Sequence, residues 1–238
     1  MSIVFDEKLD LFYLETEHTS YVIGLADHRT YVGHVYYGKR IRKQDVCYLL
    51  RTGEAPFVPS ENNRERCSFY DTFPSEYSGN GVGDYRESSI AVTTIDGQHA
   101  VMPTYVSYEI TNDKPVLHGL PASFDRENKA QTLIIHCKDE VLNLNIDLHY
   151  TVFEEDDMIT RSVRICNRNE QPIYLNKAYS ACLDMDDNGY EMLTLHGSWA
   201  RERQMDRRPI GYGKTSVGSI KGESSHQEHP FMAWMPKN

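Results

Sequence analysis

The residue types best suited to chemistry fall in two short polar segments near the C-terminal end. Residues 184–189 place oxygen ligands at alternate positions ahead of a glycine, as the start of a calcium-binding loop does. The bidentate Glu that should close such a loop falls at Leu195, which cannot bind a cation. Asn188 and Gly189 tolerate positive φ angles, so this pattern favours a hairpin turn between two strands.

The second segment, His226-Gln-Glu-His229, has the residue types of a zinc site but not the spacing. It fits neither H-E-x-x-H nor H-x-x-E-H, and its Gly, Ser and Pro neighbours are not typical of a helix. Polar loop residues held by hydrogen bonds are the favoured interpretation. The chain also has no G-x-S-x-G elbow and no G-x-x-x-x-G-K phosphate loop. We therefore predict no metal site and no cofactor.

Carboxylates are the remaining candidates for catalysis. Cleavage of a glycosidic bond needs two carboxyl groups at a defined separation, one on each side of that bond. The chain has 35 Asp and Glu residues, and their spacing in sequence does not single out a pair. No nucleophile with an adjacent base is evident either.

Composition narrows the partners and the compartment. A formal net charge of −10 argues against binding to nucleic acid or to an anionic membrane, both of which need basic residues. The five cysteines are odd in number, widely spaced and lack a C-x-x-C pair, which indicates free thiols in a reducing compartment. With no recognisable signal peptide and no apolar run near the ~18 residues of a membrane span, a cytoplasmic location is expected.

Hydrophobic periodicity indicates an all-β protein. From residue 142 to residue 152 the even positions are apolar and the odd positions polar, as in a strand with one buried face. Residues 51–87 instead hold many Pro, Gly and charged residues, which predicts a long functional loop. We expect one domain over residues 1–238, a large antiparallel β-sandwich (a supersandwich) with few short helices. The predicted strands are 11–14, 21–25, 31–37, 90–95, 105–110, 132–137, 142–152, 159–166, 173–183 and 190–198, with a further apolar strand after the polar turn that begins at Gly222.

Four segments together resemble the glycoside hydrolase family 36 α-galactosidases across essentially the whole chain. His34-Val-Tyr-Tyr-Gly38 is similar to the family's H-L-Y-Y-G, and residues 71–86 are similar to D-x-x-P-x-E-Y followed by G-D-F/Y-R. Residues 195–203 are similar to L-x-G-x-W-x-R-E-R. Residues 222–231 follow G-x-S-S-H-x-x-N-P-F, except that His229 replaces the Asn, so a bond made by that Asn is not expected here.

The resemblance implies that the chain is an N-terminal β-sandwich without the (β/α)8 catalytic barrel that follows it in the family. The barrel supplies a nucleophilic Asp after a Trp and a general-acid Asp, but in this chain Ala200 follows Trp199 and Met235 follows Trp234. The implied reaction of the whole enzyme is retaining hydrolysis of terminal α-galactosyl residues from melibiose and raffinose.

The resemblance also implies partners and site residues. Many family members are tetramers in which the N-terminal domain of one subunit reaches the active site of another. The expected partners are therefore the catalytic barrel, further copies of the chain and a galactoside. The loop residues Asp71, Phe73 and Arg86 are expected to bind the substrate of a neighbouring subunit. A structural or domain-interface role is expected for five other residues: Trp199, Arg201, Glu202, Arg203 and His226.

Three classes of function remain open. A scaffold and assembly domain of an enzyme is favoured, and it predicts no sugar affinity for the isolated chain. A stand-alone carbohydrate-binding module predicts measurable affinity, and the 16 Tyr residues and Trp199 would suit one. A complete enzyme on a sandwich fold is the least favoured class, because no nucleophile–base pair is evident.

Overall fold

The computed structural model describes residues 2–53, 69–81, 83–127, 129–222 and 226–237. Of the predicted long loop, residues 54–68, which include Cys67, and Val82 lie outside the described residues. Residues 223–225 of the last motif lie outside them too. The described part has thirteen strands and one short 3-10 helix, Cys47–Leu49. The chain divides into two compact units, Met1–Asp184 and Met185–Asn238.

The first unit contains two four-stranded antiparallel meanders and one smaller sheet. The first meander has the order β1-β2-β3-β4, formed by Ile3–Asp6, Leu11–Glu15, Thr19–Ala26 and Tyr31–Lys39. The second has the order β6-β7-β8-β9, formed by Thr104–Thr111, Gln131–Asp139, Leu144–Phe153 and Met158–Asn167. In the smaller sheet β5 (Ile90–Thr94) pairs antiparallel with β10 (Ile173–Ala178).

The main core lies between the two meanders, as expected of a β-sandwich. The alternation of apolar and polar residues in β8 gives this strand one face that points into the core. The residues of that face are all buried: Leu144, Ile146, Leu148, Tyr150 and Val152. They form one cluster with apolar residues of the first meander and of β5, among them Phe12, Leu14, Ile23 and Ile90.

The first meander is buried on both faces. Leu11, Tyr13 and Val22 point away from the main core and pack with Val35 and Val46, the latter from the segment that leads into the 3-10 helix. Covering both faces explains why β2 and β3 have nearly continuous apolar runs rather than alternation. A third cluster, Ala26, Tyr31, Phe69, Tyr70 and Phe73, lies beside β4.

The second unit is a three-stranded antiparallel sheet. Its order is β12-β11-β13, with β11 at Tyr190–Ser198, β12 at Arg201–Pro209 and β13 at Glu228–Pro236. Among the described residues of this unit, the buried ones are Met192, Leu193 and Thr194 at the centre of β11. Most residues of β12 are exposed.

The all-β sandwich predicted from periodicity is confirmed, and each predicted strand region contains an observed strand. Strands β1 and β12 were not predicted, because β1 is short and β12 is mostly charged. The predicted hairpin at Asn188 and Gly189 is wrong. Gly189 does have a positive φ, +69°, but β10, the strand before it, pairs with β5, and β11, the strand after it, pairs with β12 and β13. Within the described ranges, no helix has the length and hydropathy to cross a membrane.

Candidate functional site around residues 69–89

Glu76 is the centre of a buried polar cluster in the first unit. Its side chain has no solvent exposure. Its carboxylate accepts hydrogen bonds from the hydroxyls of Tyr21 (2.7 Å) and Tyr150 (2.6 Å) and contacts His34 Nδ1 at 2.9 Å. Arg161 forms an ion pair with it at 3.0 Å. These partners come from β3, β8, β4 and β9, so a loop residue bonds to two strands of each meander.

Electrostatics keep this cluster ionised at its centre and neutral at its two phenols. Burial by itself raises the pKa of the Glu76 carboxyl, but the charge of Arg161 and the hydrogen bonds from His34 and Tyr150 outweigh it, so that pKa lies below its ordinary value. Burial raises the pKa of Tyr21 and of Tyr150 well above the usual range, and the nearby Glu76 charge acts in the same direction. Both phenols therefore stay protonated and can donate to the carboxylate.

Arg161 links the cluster to the backbone. Its guanidinium donates to the Tyr150 hydroxyl at 3.1 Å, to the Glu76 carbonyl at 3.2 Å and to the Cys182 carbonyl at 2.7 Å. The guanidinium carbon also lies 4.7 Å from the centre of the Tyr150 ring. Such multiple bonding is what makes a buried guanidinium tolerable away from water.

The loop around Glu76 pairs with β4 like a short extra strand. The His34 amide donates to the Pro74 carbonyl at 2.6 Å, and the Glu76 amide donates to the Val32 carbonyl at 3.0 Å. Gly33 and Ser75 form the bridge between them. A Cβ atom at Gly33 would lie 2.6 Å from the tip of the Phe73 ring, so this close approach requires a glycine.

Two of the three predicted substrate-binding residues meet in this loop. The Arg86 guanidinium donates two hydrogen bonds of 2.9 Å to the Asp84 carboxylate and one of 2.6 Å to the Phe73 carbonyl. It also forms an ion pair with Asp184 at 3.3 Å. Phe73 is 1% exposed, and its ring packs against Tyr31 and Phe69. Phe73 thus contributes its backbone carbonyl to Arg86 and its ring to the core.

Asp71, the third predicted residue, is half-buried two positions before Phe73. Its Oδ1 atom is buried without a hydrogen-bond partner among the described residues. A buried carboxylate oxygen normally has a partner, so this atom has bonding capacity left. Substrate binding by Asp71, Phe73 and Arg86 stays a prediction.

The residues predicted for a domain interface lie in the second unit. Trp199, 82% exposed, is at the turn between β11 and β12. Glu202 caps that turn by accepting a hydrogen bond from the Ala200 amide at 2.8 Å, while Arg201 and Arg203 are exposed on β12. The carbonyl of His226 lies 2.8 Å from where a Cβ atom of Gly197 would be, so a glycine is needed there. The interface role of these residues stays a prediction.

Sequence reasoning missed the Glu76 cluster as a unit. Glu76 and His34 were noted only as members of motifs that resemble the family's. Tyr150 was noted only as one apolar position in an alternating strand. A Tyr and an Arg at core-facing strand positions were the available signal, because both side chains need partners when buried. The described residues contain no group of three or more His, Cys, Asp and Glu side chains that could hold a metal ion.

An open cavity lies elsewhere in the first unit. Its volume is about 690 Å³, and its lining includes Phe124, Phe153, Lys129 and several acidic residues such as Glu127 and Glu155. Phe124 is 80% exposed, and Lys129 forms ion pairs with both acids at 2.8 Å. An exposed ring beside carboxylates is a combination that sugars can use, through ring stacking and hydroxyl hydrogen bonds.

Comparison with known proteins identifies the class of protein that this fold and these motifs define. The sequence profile of the glycosyl hydrolase family 36 N-terminal domain matches residues 30–238, through both compact units. The chain belongs to this family and corresponds to its N-terminal domain.

Individual relatives agree with the family match. The chain is 37% identical to the bifunctional alpha-galactosidase/sucrose kinase AgaSK of Mediterraneibacter gnavus, covering 97% of this chain and 25% of the relative. It is also 37% identical to the alpha-galactosidase Mel36A of Lactobacillus acidophilus, covering 97% of this chain and 32% of the relative. It therefore spans between a quarter and a third of the length of these relatives.

Solved structures show the same fold. The family 36 alpha-galactosidase AgaB of Geobacillus stearothermophilus superimposes with a TM-score of 0.91 at 33% identity, over 100% of this chain and 32% of that one. A variant of AgaA from the same organism, solved in complex with raffinose, superimposes with a TM-score of 0.89 at 33% identity, over 96% and 32% of the two chains.

Proposed function

We propose that this chain is the non-catalytic N-terminal part of an α-galactosidase that releases terminal α-galactosyl residues from sugars of the melibiose and raffinose type. The observation that carries the proposal is the family match along residues 30–238, with relatives that are alpha-galactosidases about three times as long. The raffinose complex of a relative supports the substrate class. The chain would serve as a scaffold, in assembly and in shaping the active site.

The described carboxylates support a non-catalytic role. Retaining hydrolysis needs two carboxyl groups about 5–5.5 Å apart across the scissile bond, one of them free to attack the sugar. Glu76, the most deeply buried carboxylate of the described residues, already bonds to two phenols, an imidazole and a guanidinium. It is therefore engaged in holding the fold, and the reacting carboxylates are expected in a catalytic barrel outside these residues.

Assembly and compartment are parts of the same proposal. We place the chain in a homotetramer in which residues 69–89 of one subunit reach the active site of a neighbour, with Asp71 and Arg86 as the polar contacts. A cytoplasmic location suits the described cysteines, because Cys47, Cys137, Cys166 and Cys182 are all free thiols.

The first test compares hydrolysis of p-nitrophenyl α-galactoside by this chain and by the protein extended past Asn238 with a catalytic barrel. We expect turnover only in the extended protein, since the nucleophile and the acid would both be in the barrel. Turnover by the 238-residue chain alone would contradict a non-catalytic role. No turnover by either protein would contradict the α-galactosidase assignment.

The second test is Asp71→Ala in the extended protein, with Asp96→Ala as a matched control in an exposed turn. Loss of a hydrogen bond between a charged group and substrate raises KM for raffinose and melibiose roughly 10- to 100-fold. The control should keep wild-type kinetics. Unchanged kinetics in Asp71→Ala would contradict a substrate contact, and light scattering on both variants shows whether the subunit count has changed.

A stand-alone carbohydrate-binding module is the second candidate, and the cavity beside Phe124 is the observation in its favour. It predicts that the 238-residue chain binds galactose or raffinose in isothermal calorimetry and that Phe124→Ala abolishes this binding. The scaffold proposal predicts no heat of binding from the 238-residue chain or from its Phe124→Ala variant.

A further inference from the structure

The position of Glu76 in the chain distinguishes it from an ordinary core ion pair. Glu76 lies in the loop between β4 and β5, whereas its four side-chain partners lie on strands β3, β4, β8 and β9. Tyr21 lies on the strand next to that of His34, and Tyr150 lies on the strand next to that of Arg161. The Tyr21 and Tyr150 rings approach each other from the two meanders, with centres 5.9 Å apart. The carboxylate thus ties the loop to both meanders at once.

A buried ion pair of this kind contributes little net stability to a core. Removing a carboxylate and a guanidinium from water carries a large desolvation cost, and apolar residues of similar volume often stabilise a fold equally well. Hydrogen bonds and ion pairs are directional, so they can hold the loop backbone in one position, which apolar packing does less strictly. Here Arg161 bonds to the Glu76 carbonyl as well as to its carboxylate.

The same bonds decide where the predicted substrate-binding residues lie. Pro74 and Glu76 pair with His34 and Val32 of β4, which leaves the Phe73 carbonyl facing Arg86. Asp71 lies two residues before Phe73 in the same short segment. A shift of Glu76 would therefore move the Phe73 carbonyl, and with it the guanidinium of Arg86.

We propose that Glu76 is a positioning residue: it anchors the described loop residues 69–81 and 83–89 to both sheets and thereby holds Asp71 and Arg86 in the geometry needed for galactoside binding. The link to galactoside binding rests on the proposed function. The anchoring itself concerns only this chain and can be measured without any activity.

The test uses Tyr150→Phe and Glu76→Gln, with Tyr13→Phe as the matched control. Tyr13 is also a fully buried tyrosine, and its hydroxyl donates to the Gln44 carbonyl, away from the Glu76 cluster. All three variants are made in the protein extended by its barrel. Amide hydrogen exchange of residues 70–78 and of His34 is measured together with KM and kcat on raffinose.

We expect exchange in residues 70–78 to accelerate roughly tenfold in Tyr150→Phe and more in Glu76→Gln, while Tyr13→Phe leaves it unchanged. KM for raffinose should rise several-fold with kcat nearly constant, because a positioning residue acts through the contacts that Asp71 and Arg86 make in binding. If Glu76→Gln does not fold, Tyr150→Phe carries the test alone.

Two results would overturn the inference. Unchanged exchange in residues 70–78 would show that Glu76 does not anchor the loop. Faster exchange with unchanged kinetics would show that the anchor has no bearing on galactoside binding. A wild-type protein without galactosidase activity would instead defeat the proposed function, and the exchange measurement would still decide whether Glu76 is the anchor.

Discussion

Glu76 and His149 show two outcomes for polar side-chain atoms that are buried away from solvent. The Glu76 carboxylate has four hydrogen-bonding or ionic partners, whereas neither ring nitrogen of His149 has a partner among the described residues. Burial is the main cause that lowers the pKa of the His149 imidazole, and His136, Lys114 and Arg164 act in the same direction against Asp147. The folded chain therefore holds His149 in its neutral form.

This state of His149 predicts a loss of stability in mild acid. Its folded-state pKa is below the unfolded value of about 6.5, so below that pH the unfolded chain binds more protons and the free energy of unfolding falls. His149→Leu removes the proton uptake and the two unpaired nitrogens, and we expect it to raise Tm more at pH 5.5 than at pH 8.

The control for this prediction is His99→Leu, which changes an exposed histidine and should leave the pH dependence of Tm as it is in the wild type. Thermal unfolding followed by circular dichroism at both pH values provides the measurement. Equal shifts of Tm at pH 5.5 and pH 8 in His149→Leu would contradict a depressed pKa.

At the scale of elements, close backbone approach decides where the loop after Glu76 can pass. Asn80 and Val101 exchange two backbone hydrogen bonds, of 3.1 and 2.9 Å, which join this loop to the segment before β6. A Cβ atom at the neighbouring Gly79 would lie 2.7 Å from the carbonyl carbon of Val101 and closer still to its oxygen. Backbone atoms on both sides leave little freedom to relax.

Gly79→Ala should therefore lower the free energy of unfolding by about 1–3 kcal/mol, the usual range for overpacking. Gly53→Ala is the matched control in the same unit, since no atom of the described residues lies within 4 Å of a Cβ atom there. Urea unfolding of the two variants measures the difference. A neutral Gly79→Ala would mean that this pairing of Asn80 with Val101 can shift without cost.

The elements also show how far local pattern carries a prediction. In β8 the alternation predicted both the strand and its buried face, because the second meander packs on the main core with that face. In β12 the sequence has four arginines and few apolar residues, so no alternating pattern indicates a strand. The strand forms because its backbone pairs with β11. The turn at Asp27, His28 and Arg29 is left-handed at all three residues, and an ion pair between Arg29 and Asp10 supports it.

At the scale of the whole molecule, the two compact units differ in how much core each one has. Met1–Asp184 contains the three apolar clusters described above, whereas in Met185–Asn238 the described residues form one sheet and are buried at the centre of β11 alone. A single three-stranded sheet of this size is at the lower limit of independent stability.

We therefore expect a fragment of residues 1–184 to unfold cooperatively and a fragment of residues 185–238 to be unfolded on its own. Circular dichroism melting curves of the two fragments and of the 238-residue chain measure this directly. A cooperative transition in the shorter fragment, or none in the longer one, would contradict the division of the core described above.

Residue types and their order were enough to predict the all-β class, the place of most strands, the buried face of β8 and the membership in family 36. These features are local or repeat a family pattern, so they can be read from residue types and their period. The tertiary structure alone decided that Glu76 meets Tyr21, His34, Tyr150 and Arg161, which lie 42 to 85 residues away from it along the chain. It also decided that Phe73 is a core residue and that the strands around Asn188 and Gly189 do not pair. Such contacts depend on how the two meanders pack and pair, and a two-residue period contains no information about partners so distant in sequence.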